Sequence, residues 1–363
     1  MLAELCYKGS SSLAQKDLVF NSGIYPVYGA AGEITKVDFF HQSKPYLGLI
    51  KDGAGVGRVM QLPANSSVIG TIQYIFPREN VDLKYLYYLI KYLELGKSNT
   101  GATIPHIYFK DYKKRKVKIR NYSEQKHIGQ ILELIDNQLT TYKDILEQYD
   151  LLIKSRFVEM FGNPIINDKK YPVFKLKDIS KKIGSGFTPR GGGSNYIKDG
   201  IAFIRSMNIY NNTFKKENLT YIDEFVADQL SSVEIFSRDL LLNITGASVA
   251  RCCTVPNDIL PARVNQHVCI IRQCNVPSIF LEYCLTNESY QEYLLLLSKK
   301  NGATREALTK TQVENLEVIL PPLIEINRFV KTEHQINKLK SDVQKSIDET
   351  QLLMDSLMQE YFG

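Results

Sequence analysis

A chain of 363 residues with 44% hydrophobic side chains can bury more than one core, and 45 Lys and Arg against 39 Asp and Glu leave it a net charge of +6. That balance leans towards a polyanionic partner, although many proteins that touch no nucleic acid are as basic. No apolar run is long enough to span a bilayer and the N-terminus lacks a charged-then-apolar signal layout, so a cytoplasmic location without membrane contact is expected.

Residues 1–120 read as a first mixed module. Strands are expected at Tyr46–Ile50 and Val68–Phe76, punctuated by Gly23, Pro26, Gly29, Gly32, Gly53, Gly55 and Pro63. A helix follows over Leu83–Leu95, then a polar turn at Asn99–Thr103 and a return segment at Val117–Ile119. Residues 121–163 form a long helix. Ile128, Ile131, Leu132, Ile135, Leu139, Tyr142, Ile145, Leu146, Tyr149, Leu152 and Ile153 recur in steps of three and four, with Ser123 placed to cap the start and Gly162-Pro164 to stop it. From Glu124 to Phe161 such a helix is a rod of about 57 Å.

The plan then repeats. Residues 164–323 carry expected strands at Gly200–Ile204, Leu240–Ile244, His267–Ile271 and Val318–Leu320, with a helix over Ser278–Leu297. Residues 324–363 form a second long helix, with Phe329, Ile336, Leu339, Val343, Ile347, Leu353, Met354, Leu357 and Met358 on its apolar stripe. Phe161-Gly162 matches Phe362-Gly363, and Gly101–Thr103 matches Gly302–Thr304, both at an offset of 201. Lys51–Val56 with Arg58 matches Ile244–Val249 with Arg251 at an offset of 193, so the loops differ in length while the frame persists. The expected fold is α+β, a pseudo-twofold tandem repeat whose two modules are separated by an antiparallel pair of long helices.

These words, in this order and twice over, resemble the specificity subunit of type I restriction-modification systems, and the resemblance covers essentially the whole chain. It is carried by Gly23–Gly29 (GIYPVYG), by Gly184–Pro189 (GSGFTP) with Phe203–Arg205, by both Gly-Ala-Thr turns and by both Phe-Gly helix ends. The resemblance implies two target recognition domains that each read half of a split, asymmetric site in double-stranded DNA. It also implies two methyltransferase subunits held by the spacer helices, and motor-nuclease restriction subunits for cleavage. No cofactor is expected in this chain; S-adenosylmethionine and ATP would belong to the partner subunits. A rod of about 57 Å exceeds the roughly 34–36 Å between half-sites one turn apart on DNA, so modules leaning inward from its ends can span one to one and a half turns.

Candidate DNA contacts follow from charge and from turn chemistry. Lys113, Lys114, Arg115 and Lys116 lie in the densest basic run, suited to phosphates; a solvated strand edge explains the run equally well, because the matching segment Val313–Glu317 is acidic. Lys182, Thr188 and Arg190 flank or sit in a glycine-rich stretch able to follow a groove or simply to flex. Lys51, Arg58, Arg205 and Arg251 accompany the repeated glycine turn or a buried-looking strand, where phosphate contact, bidentate reading of guanine and an internal ion pair compete. Thr100, Thr103, Asn301 and Thr304 occupy the matching turns, as phosphate ligands or as plain turn formers.

Enzyme readings find little support. Gly53–Arg58 has two glycines of a dinucleotide fingerprint with Arg58 in the third place, and no Walker loop is present. Asn163–Ile166 begins like the Asn-Pro-Pro-aromatic motif of amino-methyltransferases but lacks the second proline and the ring. The five histidines are scattered, and Cys6, Cys252, Cys253, Cys269, Cys274 and Cys284 lack Cys-x-x-Cys spacing, so buried free thiols are expected. The rivals to a non-catalytic DNA reader are a methyltransferase or nuclease with its own active site, and a protein-only coiled-coil adaptor.

Overall fold

The computed structural model describes residues 1–18, 22–98, 105–189, 191–273, 276–299 and 306–363. The chain divides into two compact units, Met1–Ile145 with Asp342–Gly363, and Leu146–Ser341. In the first unit the strands are β1 (Cys6–Gly9), β2 (Tyr25–Gly29), β3 (Gly32–Val37), β4 (Tyr46–Ile50), β5 (Val59–Leu62), β6 (Ser67–Val68) and β7 (Ile72–Pro77). An antiparallel sheet runs β1-β7-β4-β5, and a smaller one runs β3-β2-β6. Every residue of β4 is buried because both sheet faces are covered: Leu47 and Leu49 pack under helix α1 (Leu83–Tyr92), while Tyr46 and Ile50 join Tyr74 and Val68 on the other side. The expected strand Val68–Phe76 is two strands. The chain turns at Gly70-Thr71, so β6 joins the small sheet through β2 and β7 joins the large one.

After the short helix α2 (Phe109–Tyr112) come the first of two 40-residue helices, α3 (Tyr122–Phe161), and later its repeat, α9 (Leu323–Phe362). Asn121, not Ser123, caps α3: its Oδ1 accepts from Glu124 N at 2.9 Å while Glu124 Oε2 accepts from Asn121 N, a reciprocal box that leaves Ser123 inside the first turn. Gly162 ends it in the left-handed region, at φ +73°. Within the first unit the start of α3 packs with the end of α9, where Ile128, Leu132 and Ile135 share a core with Met354, Met358 and Phe362. Within the second unit the end of α3 packs with the start of α9, where Phe161 and Phe157 lie 5.7 and 5.4 Å from Phe329. The two helices are therefore antiparallel, as the repeat implies.

Their apolar stripes are narrower than the periodicity suggests. Leu152, Leu339 and Leu353 are exposed rather than buried, because a helix paired with one neighbour and one head has a third face that neither covers. Tyr149 packs at the edge of the second unit's core, while Tyr142 is half-buried and accepts a hydrogen bond from Gln138 Nε2 at 2.8 Å.

The second unit contains β8 (Val173–Lys175), α4 (Leu176–Ile179), β9 (Ser180–Ser185), β10 (Ile201–Ile204), β11 (Ile209–Tyr210), β12 (Thr213–Phe214), β13 (Thr220–Ile222), α5 (Glu224–Gln229), β14 (Glu234–Ile235), β15 (Leu240–Asn243), β16 (Cys252–Thr254), β17 (Ala262–Val264) and β18 (Val268–Gln273). Helices α6 (Ser278–Leu285), α7 (Glu288–Lys299) and α8 (Lys310–Glu314) and strand β19 (Glu317–Ile319) complete it. Its sheet β9-β18-β15-β16 has the order of β1-β7-β4-β5 in the first unit. The expected single helix Ser278–Leu297 breaks at Thr286-Asn287, where Thr286 Oγ1 bonds back to Glu282 O at 2.7 Å. A second sheet, β13-β10-β17-β14, repeats the pairing of β3-β2-β6, with β10 antiparallel to β13 and parallel to β17 as β2 is to β3 and β6, and adds β14 at its edge. Cys6, Cys252, Cys253, Cys269 and Cys284 are buried free thiols, and burial raises the pKa of each; Cys274 lies outside the described residues. Among the described residues no helix is long and apolar enough to cross a membrane.

Candidate nucleic-acid interface

A single turn, built twice, organises the charged candidates. In the first unit Ile50 N donates to Arg58 O (2.9 Å), Gly57 N to Ile50 O (2.8 Å), Val56 N to Gly53 O (3.1 Å), Gly53 N to Pro105 O (3.0 Å) and Ile107 N to Lys51 O (3.0 Å). In the second, Asn243 N donates to Arg251 O (2.8 Å), Ala250 N to Asn243 O (2.9 Å), Val249 N to Gly246 O (2.9 Å), Gly246 N to Glu306 O (2.9 Å) and Leu308 N to Ile244 O (2.8 Å). These are the same five bonds at offsets of 193 within the turn and 201 to the returning segment. Gly57 and Ala250 both sit at positive φ, 85° and 73°. In the first unit the glycine is required by contact as well, since a Cβ on Gly57 would lie 2.1 Å from Gly96 N.

The side chains on this shared frame differ. In the first unit Lys51 lies 3.8 Å from Asp52, Asp52 pairs with His106, and His106 packs on Tyr108 with ring centroids 4.0 Å apart. In the second unit Ile244 and Thr245 replace Lys51 and Asp52, and Thr245 Oγ1 bonds instead to Nδ1 of His267, 2.6 Å away. Arg58 is exposed and reaches the carbonyl of Ala30, whereas Arg251 lies over the Tyr210 ring at 4.4 Å. Arg251, Tyr210, Thr245, His267, Met207 and Ser206 line an open cleft of about 530 Å³.

The basic run is anchored through its backbone. Lys113 O and Arg115 O accept from Ala3 N and Leu2 N, and Lys118 O accepts from the Tyr85 hydroxyl, which leaves Lys114 and Lys116 exposed. Arg115 reaches Ser98 Oγ, and Arg120 donates to Tyr361 O at 3.3 Å near the end of α9. In the second unit the counterpart of the Leu2–Arg115 bond is Leu176 N to Leu316 O, next to the β8–β19 pair. The same strand edge is thus basic in one unit and acidic in the other.

Two candidates make bonds within the second unit. Lys182 Nζ donates to Ser232 O beside the Arg272–Asp239 ion pair; burial first, and the Arg272 charge second, hold its pKa below the usual lysine value. Arg205 donates from Nη2 to Asn218 O at 2.7 Å, with its guanidinium 5.5 Å from the Tyr196 ring centre. Thr188 is different: its hydroxyl meets Gln266 Oε1 at the surface. Thr100, Thr103, Arg190, Asn301 and Thr304 lie outside the described residues. Gln266, Tyr210 and Tyr196 were not singled out by sequence, since no charge or glycine pattern marks them.

The family described as the type I restriction modification DNA specificity domain matches residues 2–149 and 168–353. The type I restriction enzyme EcoBI specificity subunit of Escherichia coli is 26% identical over 233 residues; that stretch is 62% of this chain, and it spans only 44% of the relative's length. Among solved structures, the type I restriction-modification S subunit from M. genitalium superposes with a TM-score of 0.63 at 15% identity, covering 100% of this chain and 95% of its own. A structure described under complex assembly and conformational transition of the type I R-M system gives 0.53 at 14% identity, with 99% and 96% covered. Two copies of one strand-and-turn frame, each flanked by part of two antiparallel helices, are the fold these structures share with it, and the chain belongs to the type I restriction-modification DNA specificity family.

Proposed function

We propose that this chain is the non-catalytic, sequence-reading subunit of a type I restriction-modification complex. Each unit reads one half of a split, asymmetric site in double-stranded DNA. The observation that carries this reading is the repeated turn, where one set of backbone bonds presents Lys51, Asp52 and Arg58 in one unit and Ile244, Thr245 and Arg251 in the other. A conserved frame with unlike side chains suits two readers of unlike half-sites. Lys114, Lys116 and Arg58 are exposed and supply phosphate contacts, whose sum makes binding salt-dependent. Lys182 and Arg205 each donate one bond to a backbone carbonyl, of Ser232 and Asn218, and keep further donors for phosphate.

The long helices carry the partners in this reading. Leu151-Leu152 on α3 and Leu352-Leu353 on α9 are all exposed and correspond at the 201-residue offset. Two equivalent apolar patches suit two copies of one partner, the methyltransferase subunit, with a motor-nuclease subunit joining for cleavage. S-adenosylmethionine and ATP are carried by those partners. The test is to map methylated positions in cells expressing the methyltransferase subunit with and without this chain. Methylation at one bipartite motif only when the chain is present is expected. A motif that persists without the chain, or methylation by the purified chain alone, contradicts the reading.

A further inference from the structure

The structure points to Gln266 as a base-reading residue of the second unit, and we propose that its amide recognises adenine in the major groove. This rests on the DNA-reading function above and assigns a specific contact within it.

Gln266 stands in the three-residue turn between β17 and β18. The turn is fixed from below by Asn265, which is buried: Asn265 N donates to Ile204 O (3.1 Å), its Oδ1 accepts from His267 N (3.1 Å) and its carbonyl accepts from Val268 N (3.2 Å). The Gly184–Pro189 segment is laid across this turn. Gly186 N donates to Val268 O (2.9 Å) and Phe187 N to Val264 O (3.1 Å). A Cβ on Gly186 would lie 2.2 Å from the carbonyl oxygens of both Val264 and Asn265, so only glycine allows the approach. That contact brings Thr188 to Gln266.

The result is a chain of polar groups from three separate segments. Thr188 Oγ1 meets Gln266 Oε1, Gln266 Nε2 lies 3.3 Å from His267 Nε2, and His267 Nδ1 lies 2.6 Å from Thr245 Oγ1. Chemistry sets the direction: the amide Nε2 is a donor only, so His267 Nε2 accepts, and its Nδ1–H donates to Thr245. The Thr188 hydroxyl donates to Gln266 Oε1. Gln266 is exposed, and among the described residues each end of its amide keeps unused capacity, one N–H and one lone pair. A fixed donor-acceptor pair at a surface matches the N6–H and N7 edge of adenine. Arg251 on Tyr210 and the exposed Met207 border the same His267 and Thr245 side chains in the cleft, and the exposed Phe187 precedes Thr188.

The repeat argues independently for this position. Lys51 N donates to Thr71 O as Ile244 N donates to His267 O, so Thr71 corresponds to His267 and Gly70 to Gln266. The backbone is preserved, and the first unit has no side chain where the second has an amide.

The test uses the full chain co-purified with its methyltransferase subunit, bound to a duplex library of randomised sequence that is then sequenced. The wild type is expected to select adenine at one position of one half-site. Gln266→Ala should reduce that preference about tenfold or more and leave the other half-site unchanged. Gln266→Glu, nearly isosteric, should turn the preference towards cytosine, whose N4 donates to a carboxylate. Thr188→Val should weaken discrimination and Thr188→Ser restore it, as expected of a positioning residue. Unchanged selection at every position by Gln266→Ala and Gln266→Glu, with salt-sensitive binding intact, overturns the assignment while the DNA-reading function stands. A wild-type complex that selects no sequence overturns both.

Discussion

Glu282 is a carboxylate in the wrong place for a charge, and the cost should be measurable. It sits on α6, 5% exposed, accepting from Thr254 N at 2.7 Å and from Asn212 Nδ2 at 3.3 Å. Burial, opposed by those hydrogen bonds and reinforced by the nearby Glu333, raises its pKa from 4.5 to about 7. The folded state therefore binds its proton at a pH where the unfolded chain has already released it. Between about pH 4.5 and 7 the contribution of Glu282 to stability falls as pH rises, and by pH 8 nearly its full penalty, about 3 kcal/mol, is present. Glu282→Gln removes the titration and keeps an acceptor for Thr254 N. Asn212 Oδ1 has no hydrogen-bond partner among the described residues and can accept from the new amide if the Asn212 side chain turns over. Urea unfolding followed by far-UV circular dichroism should show Glu282→Gln gaining on the wild type by roughly 3 kcal/mol between about pH 4 and pH 8. Parallel pH profiles for the two proteins would refute the reasoning.

Gly129, inside α3, faces the start of α1, where a Cβ would lie 2.9 Å from Asp82 Oδ1 and 3.0 Å from Tyr85 N. Gly129→Ala, which gains about 1 kcal/mol in an open helix, should lower the melting temperature here; a rise would show that α1 yields. Phe329 is fully buried, 5.3 to 5.7 Å from Tyr283, Phe157 and Phe161, so Phe329→Ala should cost about 3–5 kcal/mol in calorimetry, and a loss below about 1 kcal/mol would contradict that packing. Leu151→Asp with Leu352→Asp should leave the melting temperature nearly unchanged and abolish co-purification with the methyltransferase subunit; retained co-purification would place that partner elsewhere.

Periodicity and self-similarity carried the large features. The 201-residue offset located both long helices to within two residues at their starts, and their ends at Phe161 and Phe362 were read directly from Phe-Gly. The repeated turn was visible in Lys51–Arg58 and Ile244–Arg251, though not the five hydrogen bonds beneath it. What stayed hidden depended on contacts distant in sequence. Asn121 outcompeted Ser123 as the cap because Glu124 completes its box. The turn at Gly70-Thr71 interrupts a run of strand formers because two sheets compete for it. Charge alone marks Lys182 and Arg205 as candidate DNA contacts, and the bonds each makes to Ser232 O and Asn218 O depend on segments distant in sequence. Gln266 emits no signal in a single pass, yet aligning the two units by their bonds sets it opposite Gly70.

Exchange of residues 1–120 for the corresponding segment of another member of the family, followed by methylome sequencing of cells expressing the methyltransferase subunit, tests modular reading most directly. One half of the methylated motif should change and the other half should stay as it was. A change in both halves, or in neither, would contradict the account of two units that read independently.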